Sequence, residues 1–176
     1  ENIYSGTTVL TNENCKEISN LVPGIENFLD LPENVFLDIY DIPGLDDAKT
    51  APIYFNWAKE NFYKFDIIIH VVDIHSALNT EGEFKILDFI TDYIKIEKEK
   101  NGRNVPMFTL INKCDDMNYN ADYDSFEFVD EELKEMYQQI VKTTETNLVG
   151  KNMSDMDHPF IPFSAIDTYI YRMLEN

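Results

Sequence analysis

The sequence predicts an α/β fold: a mostly parallel sheet flanked by helices. Three observations predict it. Short apolar, β-leaning runs alternate along the chain with stretches of helical spacing. Three of the runs end in polar, turn-forming clusters. One run, Ile67-Ile68-Ile69-His70-Val71-Val72, is almost continuously apolar and fits a strand buried on both faces of a parallel sheet. The 176 residues are one domain's worth of chain, read here as a single domain over 1–176, and an apolar content of 44% suffices for a core.

The elements follow in order. Residues 1–34 are polar, with a β-like piece at Thr7-Thr8-Val9-Leu10-Thr11. Val35–Tyr40 reads as a strand, and Leu45–Pro52 as a turn-rich segment. Ile53–Phe65 has Phe55, Ala58, Phe62 and Phe65 near helical spacing. The strand of residues 66–73 comes next. Thr80 and Glu83 form a capping-box pair before a helix that places Phe84, Leu87, Ile90 and Ile94 on one stripe and ends near Gly102. Val105–Ile111 is a strand. Met117–Phe128 is acidic and aromatic and reads as an exposed loop. Asp130 caps a further helix whose Leu133, Met136, Tyr137, Ile140, Val141 and Leu148 share a face, with Gly150 near its end. Lys151–His158 is a polar loop, Phe160–Phe163 a strand, and Ile166–Leu174 a further helix, whose Tyr169–Leu174 part reads as core packing.

Charge narrows the function. The formal net charge of −19 repels phosphate backbones and excludes broad nucleic-acid binding. It equally disfavours a docking site on anionic lipid. No apolar run is long enough to cross a bilayer, and no signal peptide is visible, so no direct membrane insertion is expected. The two cysteines, Cys15 and Cys114, read as reduced thiols of an intracellular protein.

The chemistry concentrates at three strand ends. Thr109-Leu110-Ile111 runs into Asn112-Lys113-Cys114-Asp115, an Asn-Lys-x-Asp cluster. Guanine offers two adjacent donors, N1–H and the exocyclic N2 amine. One carboxylate can accept both, whereas adenine has no such pair. Upstream, Val35–Tyr40 runs into Asp41-Ile42-Pro43-Gly44-Leu45-Asp46. Downstream, Pro159–Phe163 runs into Ser164-Ala165.

In this order the three clusters resemble the third, fourth and fifth motifs of the P-loop GTPases. Asp-Ile-Pro-Gly-Leu-Asp is more similar to the dynamin-, septin- and Era-type members than to the Ras type. The resemblance extends from about Val35 to Arg172. It implies a three-layer GTPase-like fold, binding of GTP and GDP with Mg²⁺, and GTP hydrolysis in the full-length parent. By resemblance Asp41 holds Mg²⁺, Gly44 brings its N–H to the γ-phosphate, and Thr8, or its neighbour Thr7, is the switch threonine on Mg²⁺. Asn112 supports the base site, the Lys113 stem covers the base, and Asp115 reads N1 and N2. The Ala165 N–H meets guanine O6, and Ser164 shapes its loop. Leu45 departs from the Ras pattern, which has a Gln there to orient water. Hydrolysis then calls for another group, a monovalent cation, or an activating partner or homo-oligomer.

No Gly-x-x-x-x-Gly-Lys-Ser/Thr occurs in the sequence, although that phosphate loop and its strand precede the other motifs in the family. The domain is therefore read as amino-terminally incomplete. The missing strand is expected to lie between the strand feeding Asp41 and the one ending at Asp73. This segment alone is expected to be inactive.

Two other function classes stay open. One is a pseudo-GTPase, a structural or interaction module that has lost phosphate binding. The other is a receiver-like or phosphatase-like acidic site of Asp41, Asp73 and Lys113 around Mg²⁺, which leaves Asp115 without a role. The spacing of His70, His75 and His158 matches no zinc pattern, and His70 is read as a satisfied core histidine.

Overall fold

Alternating strands and helices give the chain the α/β architecture its sequence predicts. The structure is a computed structural model, and it describes residues 7–10, 37–40, 51–120 and 125–174. The chain divides into two units, Leu45–Ile166 and a second formed by Glu1–Gly44 with Asp167–Asn176. In the latter, β1 (Thr7–Leu10) pairs antiparallel with β2 (Leu37–Tyr40), from Thr7 opposite Tyr40 to Leu10 opposite Leu37.

The larger unit begins with α1 (Ala51–Asn61), which tightens into a 3-10 turn at Phe62–Lys64. Next come β3 (Ile68–Asp73), α2 (Glu81–Asn101) and β4 (Met107–Asn112). An antiparallel ribbon follows, β5 (Met117–Asn120) and β6 (Ser125–Phe128). The unit continues through α3 (Glu131–Gly150) and β7 (Phe160–Pro162). Helix α4 spans Ala165–Leu174. β3, β4 and β7 form a parallel sheet in that order, with Asp73 level with Asn112 and Ile111 level with Pro162. Among the described residues β3 pairs with β4 alone.

Side-chain alternation along this sheet builds the core. Val72, Met107 and Ile111 are buried together with Leu87 and Ile94 of α2 and Leu133, Ile140 and Leu148 of α3. Burying each such side chain contributes about 1.5–3 kcal/mol. On the opposite parity Ile69 and Val71 are 62% and 58% exposed, so the described residues cover one face of β3 and not the other. An apolar run reports that both faces favour burial, but α2 and α3 supply apolar partners to one of them.

The helix ends follow their sequence signals. Thr80 Oγ1 accepts the Glu83 N–H at 3.2 Å while the Glu83 carboxylate accepts the Thr80 N–H, which completes the capping box. Gly102 closes α2 at φ +66°, in the left-handed region where a Cβ is disfavoured. Asp130 caps α3 by accepting the Glu132 N–H at 2.8 Å.

Two expectations need correction. Met117–Phe128 is not a loop: its ends pair as strands, with Met117 opposite Phe128 and both packed on the core. Phe84 lies at the rim of the α2 stripe and is 43% exposed. His70 is buried as expected, but among the described residues its Nδ1 has no hydrogen-bond partner.

Polar side chains also tie α2 to α3. Thr91 Oγ1 donates to Asn147 Oδ1 at 2.7 Å, and Asn147 Nδ2 donates to Asp88 Oδ1 at 3.2 Å. The Lys151 ammonium, with its side chain only 13% exposed, sits 2.7 Å from both Asp88 and Asp92. A shallow groove between the helices is lined by Phe84, Asp88, Gln139, Thr143 and Lys151 among others.

Candidate functional site

Parallel strands point their carboxyl ends the same way, and open α/β sheets bind ligands beyond those ends. Here the backbone stitches three ends together. The Ile74 N–H donates to the Asn112 carbonyl at 3.1 Å. Phe163 N–H donates to the Ile111 carbonyl at 2.8 Å, and Cys114 N–H to the Phe163 carbonyl at 3.1 Å. Asp73, the Asn112–Asp115 turn and Ser164-Ala165 are thereby held at one edge of the sheet.

Beyond β4 the chain turns over at Lys113, whose φ is +64°. For a residue with a Cβ this conformation costs roughly 1–2 kcal/mol, and such outliers cluster at binding sites. The turn separates two exposed side chains, Lys113 and Asp115, on either side of buried Cys114. The Cys114 thiol donates to the Ile111 carbonyl at 3.2 Å, and burial pushes its pKa up. It is structural filler, as its place in the motif suggests. Cys15 lies outside the described residues.

Asp115 Oδ1 accepts the Ser164 hydroxyl at 2.7 Å, and Ser164 is buried. That bond fixes the carboxylate's orientation. A carboxylate has about four acceptor positions, so capacity remains for two further donors. Ala165 opens α4, and its amide is one of the first four of a helix, which lack intrahelical acceptors. Asn112 Oδ1 is shielded from solvent and has no partner among the described residues. Spare acceptor positions on the Asp115 carboxylate and the helix-end N–H of Ala165 thus lie at the same end of the sheet, an arrangement able to meet a ligand that offers adjacent donors and a carbonyl.

Lys113 also makes a contact that its place in the Asn-Lys-x-Asp cluster does not imply. Its ammonium pairs with Asp73 at 2.5 Å. The other Asp73 oxygen accepts the His75 N–H at 3.0 Å. Burial alone raises the Asp73 pKa, but the Lys113 hydrogen bond, the His75 N–H and the Lys113 charge outweigh it and hold the carboxyl below its usual range. Lys113 is raised in turn, chiefly by its hydrogen bond to Asp73. In the sequence the two residues come together only in the receiver-like alternative, with Asp41 around Mg²⁺, whereas the structure pairs them directly. The pair's geometry depends on β3 and β4 lying side by side in register.

Asp41, Gly44 and Leu45 lie outside the described residues. Thr8 falls within β1, and its side chain is not described. Among the described residues no His, Cys, Asp and Glu group could hold a metal ion. No helix among them is long and apolar enough to cross a membrane.

Comparison with known proteins gives two results. The conserved region of the Gtr1/RagA G proteins matches residues 10–166. That span contains every candidate site residue but Thr7 and Thr8. The match supports a GTPase-family domain without singling out the dynamin-, septin- or Era-like type. The chain is also similar to Uncharacterized protein R618 of Acanthamoeba polyphaga mimivirus, 24% identical over 135 residues. The aligned stretch covers 76% of this chain and 21% of that protein, so the chain spans about one-fifth of that relative's length.

Proposed function

The chain belongs to the Gtr1/RagA G protein family, and from that premise we propose that it is a guanine-selective nucleotide-binding domain, acting in its full-length protein as a GTP-hydrolysing switch. It has an α/β, GTPase-like fold, and the family binds guanine nucleotides. The observation that carries the selectivity is Asp115, oriented by Ser164 at 2.7 Å beside the amide that opens α4. In this reading Asp115 accepts N1–H and the N2 amine. The Ala165 N–H donates to O6, Asn112 supports the base, and the Lys113 stem lies along its face.

Asp41 and Thr8 would hold Mg²⁺, and Gly44 would bring its N–H to the γ-phosphate. Bound Mg²⁺ supplies charge neutralisation at the phosphates. Leu45 has no group with which to orient water, so the attacking water is placed by another group or by a partner protein. The domain works inside the cell, and a second copy or an activating protein completes hydrolysis. The dynamin-like character of Asp-Ile-Pro-Gly-Leu-Asp fits that dependence.

The test is base exchange in the full-length protein. Asp115→Asn replaces one acceptor with an N–H₂ that faces guanine's own amine. Xanthine carries a carbonyl there. Each charged hydrogen bond contributes about 1.5–3 kcal/mol, so GDP binding is expected to weaken at least tenfold while xanthosine diphosphate gains. Competition between the two nucleotides reads the ratio. An unchanged ratio overturns base reading by Asp115, and absence of nucleotide binding by the unmutated protein favours a pseudo-GTPase.

A further inference from the structure

We propose that Asp73 is a positioning residue for the base site: it pins the Lys113 ammonium so that the lysine stem is in place before a guanine nucleotide arrives. The proposal rests on the reading of Lys113 as a wall of that site. Lys113 is the most mobile member of the cluster by chemistry, with four rotatable bonds and a side chain that is 56% exposed. Ordering such a side chain at binding opposes affinity, and doing so beforehand removes the penalty. Asp73 is suited to that task. It ends β3 level with Asn112, one residue before Lys113, and meets the ammonium at 2.5 Å.

Asp73 is itself held from two sides. Its free oxygen takes the His75 N–H at 3.0 Å, and its backbone carbonyl accepts the Ser76 hydroxyl at 2.8 Å. Ser76 also bonds Glu83, and Glu83 is locked into the α2 capping box with Thr80. The anchor for Lys113 is therefore fixed to the amino end of α2. The left-handed backbone at Lys113 fixes the other end of the side chain. A lysine held at both ends is a wall, whereas a solvated lysine is not.

The experiment is a double-mutant cycle on GDP affinity in the full-length protein, using Asp73→Asn and Lys113→Met. Asparagine keeps an oxygen for the His75 N–H and loses the charge, and methionine keeps much of the stem and loses the ammonium. Asp73→Asn is expected to raise the dissociation constant about threefold to tenfold when Lys113 is present, equivalent to roughly 0.7–1.4 kcal/mol. It should have no effect in the Lys113→Met background. The difference should shrink as salt rises, because the pair is partly solvated. The ratio of GDP to xanthosine diphosphate affinity should not move.

Equal losses in both backgrounds would mean that Asp73 acts on the fold, and unchanged or tighter binding would mean that it does not preorganise Lys113; either overturns the proposal. A shifted base ratio does so too. Should Asp73→Asn unfold the protein, Asp73→Ser repeats the cycle with a shorter acceptor. Failure of the underlying reading looks different: Lys113→Met and Asp115→Asn would then both leave GDP binding untouched. If Lys113→Met weakens GDP and Asp73→Asn does not, the base site stands and the positioning role falls.

Discussion

His70 carries the largest electrostatic liability in the described part of the molecule. Burial, reinforced by the neighbouring His158, lowers its pKa from 6.5 to about 4, with Glu83 opposing weakly. His158 is lowered as well, again by burial, and its Nε2 lies 2.9 Å from Thr109 Oγ1. A histidine with a depressed folded pKa binds its proton in the unfolded chain first. Stability is therefore intact above about pH 6.5 and falls as pH drops toward 4. Through His70 alone the loss approaches roughly 3 kcal/mol. Urea denaturation at pH 7.5, 6, 5 and 4.5 should follow this slope, and His70→Leu should flatten it without loss of stability at pH 7.5. Asp73, Glu83 and Asp88, whose pKa values are lowered by their partners, act in the same direction at still lower pH. At this scale the sequence makes candidates legible where their chemistry sits in adjacent residues, as at Asn112, Lys113 and Asp115, whereas the Ser164–Asp115 bond is visible only in the structure. The direct Asp73–Lys113 bond, and a His70 Nδ1 with no partner among the described residues, depend on which strand lies beside which and so are not legible in the sequence.

At the scale of elements, Lys151 joins two helices that carry most of the core. Its ammonium reaches Asp88, Asp92 and the Asp88 carbonyl. Lys151→Met keeps the apolar stem but leaves two carboxylates of α2 facing each other. Both carboxylates are about half exposed, so the cost is moderated by water; a loss of about 1–2 kcal/mol in urea denaturation is expected. Asp92→Asn should cost less, since Asp88 still receives both Lys151 and Asn147. Nothing in the polar stretch 151–158 marked Lys151 as a helix tie. Helix ends were legible for the opposite reason: Thr80 with Glu83, Asp130 and Gly102 act on their own backbone within a few residues. The β5–β6 ribbon was missed because its acidic and aromatic residues read as loop. Strand pairing overrode that composition by seating Met117 and Phe128 on the core.

At the scale of the whole molecule a large negative charge meets apolar side chains that the described residues leave uncovered. Ile67, Ile69 and Val71, with Ile161 two strands away, are all exposed large hydrophobics. Such a patch favours association, and a net charge of −19 opposes it over a distance that salt controls. Light scattering by this 176-residue chain should therefore rise between about 0.02 M and 0.5 M salt, as the Debye length contracts from roughly 20 Å to about 4 Å. Val71→Lys should blunt the rise; equal scattering at both salt concentrations would contradict the balance drawn here. The apolar run of β3 was legible as a demand for burial, but a sequence does not say which elements meet that demand.

The candidate base site draws on Asp73, Asn112 to Asp115 and Ser164-Ala165, brought together only when β4 has joined both β3 and β7. Each of those pairings spans a helix, so the site belongs to the high-contact-order, slowly formed part of the fold. During synthesis the Asn112–Asp115 turn leaves the ribosome well before Ser164, and until β7 docks Asp115 has no Ser164 hydroxyl to orient it. In the function proposed above, completion of the base site is thus a late event in the life of each new chain. A ligand that binds the finished site adds its binding energy to the last assembly step and so acts as a check that folding is complete.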